Sequence, residues 1–266
     1  MLIWLVTAPQ LCLAAGHPQS DAEAARELFG LVNNERSRQG LEPLQWDDRL
    51  AEAALAHARL VVAHKKLSHQ YSGEPALNLR LARTNIRLNR SGENLALDAS
   101  ARSAHEALIN SPPHRANILS RNYNAIGIAA IWAGEDLYVV QDFAHRLPEE
   151  SPGEFRDQVA SEFARLRSAS GVAPLKRIDL SYLNKSACEM AQRDNVDAQI
   201  SAPGARFIIT FTATEPQMLP ADVTRFRSDN EVASYGIGSC FARTQTYPNG
   251  VYWVVMALFP KSARGN

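Results

Sequence analysis

The chain has 266 residues, more than the ~100–150 of an ordinary domain, with 45% of them hydrophobic and 21% charged. That composition can bury a core and excludes disordered, collagen-like and disulfide-dense chains. Lysine plus arginine equals aspartate plus glutamate at 28 each, so no bulk electrostatic force draws the protein to nucleic acid or an anionic membrane.

Residues 2–15 form an uncharged apolar run too short to span a bilayer as a helix, followed by small and then polar residues. This reads as a signal peptide over residues 1–16, cleaved near 14–17 with Ala14 and Gly16 at the small positions. A mis-set start or an uncleaved stub is the alternative, because no Lys or Arg precedes the run and Pro9 interrupts it. The residues before Cys12 lack the small side chain that a lipoprotein attachment motif needs. No later stretch reaches the ~18 apolar residues of a membrane helix. The expected location is therefore secreted or periplasmic. With Cys12 removed, Cys188 and Cys240 remain as an even pair in an oxidising compartment. A disulfide and two buried free thiols are equally compatible with that pair.

Helical periodicity predicts a helix over Asp21–Gln39 ended by Gly40, and a second over about Asp48–Lys66. Between them stands Gly40-Leu41-Glu42-Pro43-Leu44 with Trp46-Asp47-Asp48. The same grammar returns later, with Arg36, Gly40, Pro43 and Leu44 matched by Arg167, Gly171, Pro174 and Leu175 at a constant offset of 131. Each half also closes on two β-rich runs around a turn, Ala133-Gly134-Glu135-Asp136 in the first and Pro248-Asn249-Gly250 in the second. The expectation is two domains, 23–146 and 154–262, joined by a Pro- and Gly-containing linker at 147–153. A chance coincidence of two generic helix-turn patterns is the alternative.

All seven histidines lie before residue 146, which confines imidazole chemistry to the first half. His57 falls in the apolar helical stripe Leu50, Ala54, His57, Val61 and reads as a hydrogen-bonded core residue. Ser68-His69 stands at an element end instead, where a polar pair can face a cleft. Gly92-Glu93-Asn94-Leu95-Ala96 and Ser111-Pro112-Pro113-His114-Arg115-Ala116-Asn117-Ile118-Leu119 follow. Arg80, Arg83, Arg87 and Arg90, spaced by three, four and three, read as a basic helical stripe, either a solvated face or an anion-facing rim.

In this order, and with Asn33-x-x-Arg36, Ala54-x-x-His57-Ala58 and Gln141-x-Phe143, these motifs resemble the CAP superfamily of cysteine-rich secretory, antigen 5 and pathogenesis-related proteins, in its bacterial SCP-domain form. The resemblance spans about residues 25–145. It implies an α+β fold, an α-β-α sandwich, with a second and degenerate copy implied by the internal repeat. It also implies a cavity lined by two histidines and one or two glutamates, which map to His69, Glu93 and His114. Glu106 stands in for the second glutamate, for which no motif matches.

Two imidazoles and a carboxylate leave a fourth position open, the arrangement of a catalytic rather than a structural zinc site. The expected cofactor is a divalent metal, zinc first, or none. Three readings stay open: binding of a small-molecule, lipid or envelope ligand or of metal, metal-dependent hydrolysis, and an interaction module in which His69, Glu93 and His114 only brace the fold. No zinc-protease, Gly-x-Ser-x-Gly or Walker motif decides whether the protein is an enzyme.

Overall fold

The computed structural model describes residues 19–261, so the expected signal peptide at 1–16 lies outside the described residues. The chain divides into two compact units. The first comprises the described residues up to Ser72 together with Gly92–Phe143, and the second comprises Gly73–Ser91 with the residues from Ala144 onward.

In the first unit, helix α1 (Asp21–Arg38) begins in a capping box. The Ser20 side chain accepts from the Glu23 amide while Glu23 accepts from the Ser20 amide, giving partners to amides that a helix start leaves bare. Strand β1 (Gln45–Trp46) leads into α2 (Asp48–His64), whose N-cap Asp47 accepts from the amides of Arg49 and Leu50. Strand β2 (Leu88–Asp98) and the helices α4 (Ala101–Asn110) and α5 (Pro112–Ile118) precede the hairpin β3 (Ala125–Ala133) and β4 (Asp136–Arg146). Helix α3 (Leu77–Ala82) belongs to the second unit. The sheet order is β1-β3-β4-β2, with β1 parallel to β3.

Strand periodicity makes three layers of this unit. Alternate β3 and β4 residues, Ile126, Ile128, Leu137 and Val139, pack with Leu28 and Val32 of α1 and Leu108 of α4. The intervening Ala129, Tyr138 and Val140 pack with Ala54, Ala58 and Val61 of α2 on the other face. Helix α2 comes so close that a Cβ at Gly127 would stand 2.0 Å from the Ala51 amide nitrogen. The unit is an α-β-α sandwich.

The second unit lays out its later elements in the same order. Helix α6 (Pro152–Ala169) starts at the Ser151 capping box; β5 (Lys176–Arg177), α7 (Tyr182–Gln192), β6 (Phe207–Ala213), α8 (Ala221–Thr224), a 3-10 turn (Arg225–Ser228), β7 (Val232–Ala242) and β8 (Val251–Pro260) follow. Its sheet order is β5-β7-β8-β6, again with the two-residue strand parallel to its neighbour. Tyr252, Val254, Met256 and Leu258 pack with α6, whereas Val251, Trp253, Val255 and Ala257 pack with α7.

Each unit is tied by a buried arginine. Arg36, 2% exposed, donates to the carbonyls of Glu42 (2.9 Å), Ile118 (2.7 Å) and Ser120 (2.8 Å). Arg167, also 2% exposed, donates to Ala173 (3.2 Å), Phe226 (2.5 Å) and Asp229 (3.0 Å). A substitution Arg36→Met leaves three carbonyls without their donor, and the expected loss of stability by urea denaturation is at least ~3 kcal/mol.

Cys188 of α7 and Cys240 of β7 form a disulfide, with Cα atoms 5.1 Å apart and a sequence separation of 52. Closing a loop of that length restricts the unfolded chain, so reduction or the double substitution Cys188→Ala/Cys240→Ala is expected to lower unfolding free energy by roughly 4 kcal/mol, measured with and without reductant.

Candidate functional site

The candidate residues come from three separate elements. Helix α2 ends at Lys65, whose φ of 50° turns the chain back on itself. The returning segment is strapped to the helix. His57, fully buried, donates from Nε2 to the Ser68 carbonyl at 2.9 Å, and Tyr71 donates to the Lys66 carbonyl while stacking on His64 at 4.2 Å between centroids. Those ties hold His69 at the end of the helix.

Glu93 sits in β2 with its carboxylate side chain 3% exposed, beside an imidazole that is 63% exposed: His69 Nδ1–H donates to Glu93 Oε1 at 2.8 Å. The other carboxylate oxygen, Oε2, lies 3.9 Å from His57 Nε2. Gly92 precedes it because a Cβ there would meet the Tyr123 hydroxyl at 2.5 Å.

His114 stands in the first turn of α5. Its backbone carbonyl accepts from Asn94 Nδ2 at 3.1 Å, which pins that turn to the residue following Glu93. Asn94, fully buried, also donates to Gln141 Oε1 and accepts from Asn117 Nδ2 at 2.9 Å, while Asn117 donates to the Glu93 carbonyl. Burial lowers the pKa of His114, and the charge of the nearby His69 lowers it further. The structure thus joins His69 to Glu93 by a hydrogen bond and sets His114 within electrostatic reach of His69.

Glu106 is not brought to them. It is exposed on α4, the helix whose buried face carries Ala104, His105 and Leu108, and among the described residues no hydrogen bond or ion pair links it to the other three. Among the described residues no three His, Cys, Asp or Glu side chains are grouped to hold a metal ion. With His69 Nδ1–H committed to Glu93, the lone pair of that ring lies on Nε2.

The arginine stripe is a further correction. Arg80 is 6% exposed and pairs with Glu74 at 3.5 Å; Arg87, also 6% exposed, lies over the rings of Tyr252 (4.8 Å) and Phe241 (5.1 Å). Both are packed inside the second unit, and only Arg83 and Arg90 are exposed. The sequence singled out His57 as a core residue and gave no sign that its ring lies beside Glu93.

Residues 29–143 match the CAP family, described as the cysteine-rich secretory protein family. This part of the chain is a CAP domain. Two proteins of Bacillus subtilis (strain 168) align with the chain. The uncharacterized membrane protein YlbC is 28% identical over 122 residues, covering 46% of this chain and 34% of that protein. The uncharacterized protein YkwD is 29% identical over 129 residues, covering 48% of this chain and 50% of its own. The chain thus spans half or less of the curated relatives it matches. Among solved structures, an extracellular protein containing an SCP domain from Bacillus anthracis is 25% identical with a TM-score of 0.43, over 48% of this chain and 44% of that one.

Two histidines of the CAP domain contribute to its response to acid. His105 is 8% exposed, its Nδ1 has no hydrogen-bond partner among the described residues, and burial lowers its pKa; His114 is lowered as above. Both bind protons more weakly folded than unfolded, where the ordinary value is ~6.5. The unfolded chain therefore takes up more protons as pH falls through that value, and stability falls with it. Urea midpoints are expected to drop between pH 7.5 and 5.5, and His105→Leu is expected to narrow the drop.

Proposed function

We propose that this is a secreted or periplasmic CAP-domain protein that binds a small envelope ligand at the site formed by His69, Glu93 and His114. The observation that carries this reading is the His69–Glu93 pair, a buried carboxylate fixing an imidazole whose ring is largely exposed. With Nδ1–H committed to Glu93, the other ring nitrogen is an acceptor aimed away from the carboxylate. Such a nitrogen takes a hydrogen bond from a hydroxyl or amide of a ligand. The half-buried His114 stays neutral near pH 7 and adds a second uncharged ring.

Hydrolysis by a metal-bound water is the weaker reading, since the donors are not grouped for a metal. The secreted location rests on the apolar run at the start of the sequence and agrees with the printed description of the B. anthracis relative as extracellular. The second unit is read as a degenerate CAP-like copy over 154–262 with its site lost. Matching sheet orders and the twin arginines Arg36 and Arg167 support that reading.

Native mass spectrometry of the chain incubated with a soluble envelope extract tests the proposal. The expected result is a non-covalent adduct on the wild type, lost in His69→Ala and Glu93→Gln and kept in Glu106→Gln. An adduct that survives both site substitutions overturns it. Zinc titrated in parallel is expected to leave the melting temperature unchanged. A zinc-dependent rise abolished by His69→Ala and by His114→Ala replaces the organic ligand with a metal.

A further inference from the structure

The second unit contains a pocket of about 450 Å³, inside the ~300–1,000 Å³ range of small-molecule sites. Its charges are arranged unevenly. Asp157 Oδ1 accepts from Arg177 Nη2 at 2.8 Å and lies 3.4 Å from Arg156 Nε. Arg156 also donates from Nη1 to Asn184 Oδ1 at 3.2 Å, and that oxygen accepts the Ser239 amide at 3.1 Å, which fixes the guanidinium. Two guanidiniums share one carboxylate, which leaves one positive charge in excess. Asp179, also on the lining and exposed, makes no ion pair among the described residues. The pocket is neutral in sum, yet carries one uncompensated cation and one uncompensated anion.

The corresponding positions of the first unit carry different residues. At the offset of 131, Arg156, Arg177 and Asp179 stand where the CAP domain has Ala25, Trp46 and Asp48. There Trp46 packs edge-on against Phe29 at 5.6 Å, and its indole N–H donates to Asp48 at 2.8 Å. Phe29 gives way to Ala160 in the second unit, so the aromatic pair has no counterpart there. Arg177 turns to Asp157, and the indole donor to the aspartate at 179 is gone as well.

We propose that this pocket binds a small zwitterion of the amino-acid type, free or as a short peptide, with its carboxylate on Arg156 and Arg177 and its ammonium on Asp179. Planar guanidinium matches carboxylate in a two-pronged bond, and the apolar wall of Leu180 and Ile237 accepts an aliphatic side chain. Because the charges are partly exposed, binding is expected to weaken as salt is added. No residue of the His69–Glu93 site takes part.

Isothermal titration of the full chain at low ionic strength, with L-alanine, L-alanyl-L-alanine, N-acetyl-L-alanine and L-alaninamide, tests the assignment. At least one of the two zwitterions is expected to bind, with each single-ended analogue at least tenfold weaker. Asp179→Asn is expected to reduce the zwitterion to the level of N-acetyl-L-alanine, and Arg177→Gln to the level of L-alaninamide. Asp179 lies exposed in a loop, so its variant carries the test even if Arg177→Gln does not fold. Absence of binding by both zwitterions, equal affinity for all four probes, or unchanged affinity in Asp179→Asn overturns the proposal.

Discussion

A buried guanidinium governs the first unit. Arg36 lies at the end of α1, where it is out of water and must find its acceptors within the protein. It finds them in backbone carbonyls of two segments, Glu42 in the loop directly after α1 and, far along the chain, Ile118 and Ser120 at the end of α5. The loop can present its carbonyl because Gly40 adopts φ +64°, which closes the helix and lets the Leu41 amide return to Arg36 O. Gly171 does the same after Arg167, with φ +73°. Arginine suits this task because its fixed fork of donors satisfies several carbonyls without a counterion.

What the arginine fixes, the polar side chains transmit. Helix α5 is held at its end by Arg36 and at its start by Asn94, and between them Asn117 reaches Asn94 and the Glu93 carbonyl. Glu93 and His114 therefore inherit their positions from a network that contains no charge beyond the arginine. The exposed imidazole of His69 is held from the opposite side, through the carbonyl bond of His57 to Ser68. The site is assembled by groups that do not themselves face the ligand.

The α-β-α sandwich was legible through the resemblance of the ordered motifs to the CAP family, while the residues themselves gave the helices α1 and α2 and the two β-rich runs around a turn. The paired motifs at Gly40 and Gly171 were legible because helix ends need glycine. His69 was legible as a polar residue at an element end, and His57 as one in an apolar stripe. The nearness of His57 to Glu93 was not, since periodicity states which face of a helix is buried but not which strand it meets. The arginine stripe was misread because it assumed one continuous helix. In fact α3 ends at Ala82, Asn85 takes φ +60°, and β2 begins at Leu88, so that Arg80 and Arg87 are buried in different contacts. Glu106 had helical position in its favour but faces solvent on α4, whose packed side is Ala104 and Leu108.

The bond between Cys188 and Cys240 joins α7 to β7, and both elements supply walls to the pocket lined by Asn184 and Ile237. The CAP domain has no such clamp among its described residues, and its polar centre is held by hydrogen bonds. One chain thus holds two sites by different means: hydrogen bonds fix the first, and a covalent bond ties two walls of the second. Entry into a reducing space would slacken the second site while the hydrogen bonds of the first kept their geometry.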